Sequence, residues 1–203
     1  MITIIDYGVG NIRAYINLYK RININIKVAY NATDLKNATK IILPGVGAFD
    51  YAMTRLNSSG MREIITELVF EKKVPIIGIC VGMQMLGDKS EEGELPGLGW
   101  IPGKVMQFDS SVLSSERRLP HMGWNNISHD NDNLFNSIDL NNRFYFLHSY
   151  YFKCKNEENI LATTGFGANF TSAIKKDNIY GVQFHPEKSH SNGVQLLKNF
   201  ANI

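Results

Sequence analysis

Short, almost unbroken apolar runs alternate with amphipathic stretches through the first eighty residues. Ile2–Asp6 reads as a buried strand. After the turn Tyr7-Gly8-Val9-Gly10, Asn11 is placed to cap a helix running to about Arg21. Asn25–Ala29 and Lys40–Leu43 read as the next two strands, the latter ending at Pro44-Gly45-Val46-Gly47. Helices are predicted around Phe49–Leu56 and over Met61–Glu71, and Pro75–Ile79 is a fourth, wholly apolar strand. Strands apolar on both faces and alternating with helices predict a parallel sheet covered on both sides.

The second half has a different rhythm. Lys104–Phe108, Trp124–Ile127, Arg143–Leu147, Ile160–Thr163, Phe170–Ile174 and Ile179–Phe184 read as shorter strands joined by Gly, Asn and Asp turns, and a closing helix spans about Ser191 to Ala201. Residues 87–99 and 109–119 read as polar or Gly/Pro-rich loops. The expectation is an α/β fold in one domain, residues 1–203: a central, mostly parallel sheet with an antiparallel extension, flanked by helices. Composition does not divide the chain, and 203 residues suffice for one well-buried core.

Charge and cysteine content narrow the function classes. A net charge of +2, with no Lys/Arg block, gives no reason to expect a nucleic-acid partner. No apolar run approaches the roughly 20 residues that span a bilayer, so no membrane association is expected. The N-terminus reads as a strand and not as a signal peptide. Two distant cysteines make no disulfide framework, which points to a reducing, cytoplasmic location. No His/Cys/Asp spacing resembles a metal site, and no cofactor is expected.

The candidate chemistry centres on Gly78-Ile79-Cys80-Val81-Gly82, where an apolar strand meets a helix. A cysteine at such an elbow projects above the sheet, the following helix terminus favours a thiolate, and the Val81 amide points toward a developing oxyanion. Alone, the turn reads equally well as a buried structural thiol. About one hundred residues on, His185-Pro186-Glu187 follows another apolar strand. The histidine is a candidate base, with Glu187 fixing its tautomer. Pro44-Gly45-Val46-Gly47 is either a plain strand-to-helix connection or a second source of oxyanion amides. His121 and His148 read as structural or interface residues, His129 and His190 as solvated, and Cys154 as a strand or loop residue. Tyr7-Gly8-Val9-Gly10-Asn11 does not fit the dinucleotide fingerprint.

Taken in order, Asp6-Tyr7-Gly8-Val9-Gly10-Asn11, Pro44-Gly45-Val46-Gly47-Ala48-Phe49, the Cys80 elbow through Gln84, Pro120-His121-Met122-Gly123-Trp124-Asn125, Phe144–Tyr150 and His185–Ser189 resemble the class I (triad) glutamine amidotransferases. Within them the chain is similar, over its whole length, to the glutaminase subunits of imidazole glycerol phosphate synthase in histidine biosynthesis. The resemblance implies a flavodoxin-like fold and hydrolysis of L-glutamine to L-glutamate and ammonia by a Cys80–His185–Glu187 triad. It implies an oxyanion site from Val46, Gly47 and Val81, and glutamine binding by Gln84 with backbone near Ser149 and Tyr150. It also implies a heterodimer with a (β/α)8 cyclase subunit of the HisF type that receives the ammonia. Pro120, Met122 and Trp124 would lie in that interface, and Tyr145 and Lys188 near its hinge. Read from residues alone, Met122 and Trp124 could equally form a core pair. Two other outcomes stay open: the same chemistry feeding a sugar amidotransferase of surface-polysaccharide synthesis, or a non-catalytic interaction module. Gln84 and the interface-like segment argue against a cysteine peptidase.

Overall fold

The computed structural model describes residues 1–109, 111, 118–138 and 143–203. The predicted first half is present almost element for element. Strands β1 (Ile2–Ile5), β2 (Ile26–Ala29), β3 (Lys40–Leu43) and β4 (Ile76–Ile79) alternate with helices α1 (Ile12–Arg21), α2 (Ala32–Leu35), α3 (Phe49–Ser58) and α4 (Arg62–Phe70). Every residue of β1 and β4 is buried, as expected of strands covered on both faces. In α1 the buried Tyr15, Leu18 and Tyr19 repeat at helical spacing, giving it one core-facing stripe. Asn11 occupies the N-cap position of α1, but its side chain makes no capping bond.

Among the described residues, β4 is followed by the single-turn helix α5 (Val81–Gln84), nine further strands and the closing helix α6 (His190–Asn202). The strands are β5 (Lys89–Ser90), β6 (Gly103–Gln107), β7 (His121–Asn126), β8 (Ser128–His129), β9 (Arg143–His148), β10 (Tyr150–Cys154), β11 (Ile160–Phe166), β12 (Ala168–Lys176) and β13 (Ile179–Val182). The main sheet runs β2-β1-β3-β4-β13-β12-β10-β6-β5, with β11 beside β12 and β8 beside β11. Its first five strands are parallel, and β12, β10 and β6 form the antiparallel extension. Tyr19 of α1 donates its hydroxyl to the Leu197 carbonyl of α6, tying those two helices together.

The structure corrects the sequence reading in three places. β7 and β9 do not extend the main sheet; they pair only with each other, as a separate antiparallel ribbon. Its burial alternates: one face, with Phe144, Phe146 and His148, packs into the core, while Met122, Trp124 and Leu147 face outward. Strand β10 was not foreseen, and Cys154 is its last residue. The predicted 87–99 loop contains the short strand β5. Residues 110 and 112–117 of the 109–119 loop lie outside the described residues.

Candidate active site

The parallel pairing of β4 with β13 builds the site. Ile79 stands opposite Val182, and the Cys80 amide donates to the Val182 carbonyl at 2.8 Å. The residues just past these two strand ends therefore emerge side by side, although they are about one hundred positions apart. Cys80 has φ +55° and ψ −113°, a strained conformation for a residue with a Cβ and the geometry of a nucleophile elbow. The helix behind it is a single turn, so its dipole supports the sulfur less than the sequence suggested.

The elbow keeps its shape through backbone packing against the β3–α3 turn. A Cβ on Gly82 would stand 2.1 Å from the Leu43 carbonyl oxygen, and one on Gly45 would stand 2.3 Å from the Gly82 nitrogen. Both obstacles are backbone and cannot swing away. Gly82→Ala is expected to cost about 3 kcal/mol by overpacking, a fall of about 6–12 °C in Tm for a chain of this size. A thermal melt beside wild type checks this; an unchanged Tm would show that the turn yields.

His185 and Glu187 flank Pro186 at the start of a 3-10 turn, Pro186–Lys188. His185 Nδ1 lies 2.9 Å from Glu187 Oε1, and both side chains are almost wholly buried. Burial disfavours the imidazolium, but hydrogen bonds to Cys80 and Glu187 and their charges outweigh it, raising the His185 pKa to about 10. Burial likewise opposes ionisation of Glu187; the hydrogen bond and charge of His185 prevail and hold the carboxyl below its usual range. The other carboxylate oxygen accepts from the Tyr15 hydroxyl at 2.8 Å. Burial and the neighbouring carboxylate keep Tyr15 protonated, so it is a permanent donor. Sequence reading missed Tyr15, although a hydroxyl on the buried stripe of α1 requires some buried acceptor.

Gly47, Cys80, Val81, Gln84, Leu147, His148, Ser149 and Tyr150 share one small pocket with Glu92. The Val81 amide donates to no acceptor among the described residues. Gly47 adopts φ +88° beside it, while the Val46 side chain is exposed. Gln84 donates from Nε2 to the Tyr150 carbonyl at 3.1 Å and to Gln183 Oε1 at 3.0 Å. Both its N–H groups are thus occupied. Only its carbonyl oxygen is left for a ligand, which suits an ammonium and not a carboxylate. Glu92 was also missed: its Oε2 caps the Phe49 amide at 2.9 Å, and the carboxylate adds negative charge beside Gln84. A loop glutamate gives no such signal in sequence.

The β7–β9 ribbon lies over this pocket. The Cys80 thiol points to the Leu147 carbonyl at 3.9 Å. Across the outer face, Met122 pairs with Leu147 and Trp124 with Tyr145. Met122 is 65% and Trp124 42% exposed, so they are no core pair. Pro120 is also exposed. The Lys188 ammonium sits 5.5 Å above the Tyr145 ring, and the Tyr145 carbonyl accepts from the His185 amide at 2.8 Å. His190 is exposed, as expected, with its ring edge-on to Trp124. His129 is half-buried and stacked on Phe135, and so is not the freely solvated residue expected.

The family described as "Glutamine amidotransferase class-I" matches residues 3–203. A protein of Bdellovibrio bacteriovorus named imidazole glycerol phosphate synthase subunit HisH is 55% identical over the full length of both chains. One of the same name from Leptospira interrogans is 49% identical over equal coverage. Among solved structures, a "Crystal structure of glutamine amidotransferase" superposes with TM-score 0.76 at 18% identity, covering 100% of this chain and 99% of its own. The "Structure of PurLQS from Thermotoga maritima" gives 0.75 at 17%, covering 99% and 97%. At such identity these two speak to the fold alone.

Proposed function

Because this chain belongs to the class-I glutamine amidotransferase family, and within it to the glutaminase subunits of imidazole glycerol phosphate synthase, we propose that Cys80 hydrolyses L-glutamine to L-glutamate and ammonia. The carrying observation is the positive-φ Cys80 elbow within hydrogen-bond reach of a buried His185, whose Nδ1 lies 2.9 Å from Glu187 Oε1. A non-catalytic scaffold has no use for a strained cysteine beside a buried ion pair.

The steps follow from that geometry. With its pKa raised to about 10, His185 already holds the proton at neutral pH, and the Cys80 sulfur beside it attacks the side-chain amide carbon of glutamine. The oxyanion that forms is met by the Val81 amide and by backbone around Val46–Gly47. His185 then protonates the leaving nitrogen, ammonia departs, and a γ-glutamyl thioester remains. Deprotonated His185 next draws a proton from water, which attacks the thioester; glutamate leaves and the thiol is restored. Glu187, held by Tyr15, keeps the imidazole oriented throughout. Gln84 and Glu92 receive the substrate ammonium, while the Ser149–Tyr150 backbone lines that end of the pocket.

The ammonia goes to a (β/α)8 cyclase subunit in a heterodimer working in cytosolic histidine biosynthesis. The shared name of the relatives supports this destination over sugar amidation. The outer face of the β7–β9 ribbon supplies the docking surface, with Pro120, Met122 and Trp124 at its centre and the Tyr145–Lys188 pair at the hinge. Exposed apolar area of this kind beside an active site fits a partner that seals it from water. Among the described residues, no helix is long and apolar enough to cross a membrane.

The turn at Val46 is the proposed switch. Gly45 and Gly47 allow its peptides to reorient, so the oxyanion site is completed when the partner holds its own substrate. Glutaminase turnover of the subunit alone is therefore expected to be about 100-fold or more below that with the liganded partner, by the loss of oxyanion donors. Steady-state ammonia release in both conditions tests it, and equal rates would reject the switch.

A further inference from the structure

Five buried or half-buried side chains form one continuous polar line from the β7–β9 ribbon to the nucleophile. Asn125 Nδ2 lies 3.2 Å from His121 Nε2. His121 Nδ1 lies 3.0 Å from His148 Nε2, and His148 Nδ1 lies 2.8 Å from the Tyr150 carbonyl oxygen. The same oxygen accepts from Gln84, whose other N–H reaches Gln183, and Gln183 Nε2 donates to Cys80 Sγ at 3.7 Å. We propose that this line sets the geometry of the reaction: Gln183 is a further catalytic residue that holds the Cys80 sulfur, and His121 and His148 are positioning residues acting on Gln84 through the Tyr150 carbonyl.

The direction of every bond can be worked out from one end. A carbonyl oxygen only accepts, so His148 carries a proton on Nδ1. Burial holds its pKa down to about 3, so the ring is neutral and Nε2 is left as an acceptor. His121 therefore donates from Nδ1, and its Nε2 accepts from Asn125. At the other end, Gln84 presents its NH2 to two acceptors. This orients Gln183 with its oxygen toward Gln84 and its NH2 toward sulfur. A donor aimed at sulfur stabilises the thiolate that attacks and that leaves in deacylation. Nothing in the triad itself requires the sequence positions 121, 148 and 183.

Surroundings argue against an incidental cluster. His121 is stacked between Phe146 and Phe166, and Phe170 and Phe108 pack against His148. Gln183 is completely buried. Two histidines in such an aromatic pocket are stable only if each bond is made in the right sense. Because His121 and Asn125 belong to the ribbon that carries Met122 and Trp124, a partner pressing on that ribbon would act on Gln84 along the same line.

The inference rests on the glutaminase reading, and its test separates the two. With the liganded partner present, Gln183→Met is expected to lower kcat about tenfold or more. His121→Leu is expected to raise the KM for glutamine severalfold with a smaller change in kcat. His121→Asn, which keeps a donor near the Nδ1 position, should restore KM to within about twofold of wild type. The double variant Gln183→Met/His121→Leu should fall short of the product of the single effects, since both cut one line. Thermal melts establish that each variant is folded. Iodoacetamide labelling of Cys80 in the subunit alone gives a readout that does not depend on glutamine: Gln183→Met should change its rate at least threefold. An unchanged kcat and labelling rate in Gln183→Met, or equal impairment by His121→Leu and His121→Asn, would overturn the proposal. A wild-type complex that releases no ammonia from glutamine would instead remove the glutaminase reading, while the labelling result would still judge the Gln183 contact.

Discussion

Cys80→Ala is expected to lower glutamine turnover by at least about 10⁴-fold, the scale on which removal of a covalent nucleophile acts. No other thiol stands near the site; Cys154 lies at the end of β10, and burial raises its pKa to about 12. Glutamine binding should survive, because Gln84 and Glu92 are untouched and keep their partners. The variant should therefore bind glutamine within a few-fold of wild-type affinity while releasing no ammonia above background. Calorimetric titration beside an ammonia assay separates the two properties. Turnover within tenfold of wild type would mean that the sulfur is not the nucleophile.

Glu187→Gln carries the second-largest effect. The amide can still accept the His185 Nδ1 proton and meet the Tyr15 hydroxyl, so the geometry is kept while the charge is lost. By analogy with the orienting acid of a serine-protease triad, kcat should fall by about 10³–10⁴-fold. The same change alters stability in a definite direction. His185 has a folded pKa of about 10 against 6.5, so its contribution is fully present below about pH 6.5 and is lost as pH rises through about 10. Glu187 is shifted below 4.5, so its contribution is present above that pH and is lost as pH falls through the lowered value. Both act in full between about pH 4.5 and 6.5. The Tm difference between wild type and Glu187→Gln should be largest in that window and shrink toward pH 10. A difference that grew toward alkaline pH would contradict the ion pair. Removing the carboxylate should also move the alkaline limb of the activity profile to lower pH, because His185 then loses one of the charges that hold its proton.

The alternation that predicted a parallel sheet was legible because β1 and β4 are buried on both faces, and burial of that kind writes itself as a continuous apolar run. The closing helix was placed to within a residue at either end for a related reason, its buried positions recurring at helical spacing. The β7–β9 ribbon was legible as strands but not as a separate sheet. Its residues alternate as any half-buried strand does, and alternation does not say which strand lies beside it. Tyr15, Glu92 and Gln183 escaped notice for a different reason. Each acts on a partner distant in sequence: the Tyr15 hydroxyl meets a carboxylate 172 residues away, and Gln183 meets a sulfur 103 residues away.

By itself the sequence determined the layering of the chain, the elbow at Cys80, the pairing of His185 with Glu187 and, through motifs along its whole length, the family. These are local matters: apolar periodicity, a Gly-x-Cys-x-Gly turn, and two residues separated by one proline. Only the tertiary structure decided that β4 and β13 are parallel neighbours in register, which sets the Cys80 sulfur beside His185. It also decided that Met122 and Trp124 face outward, that Gln84 has only an oxygen to offer a ligand, and that His121 and His148 point in one line at the site. Such facts depend on which strand end meets which, and on the donor each buried acceptor finds. No spacing along the chain encodes either one.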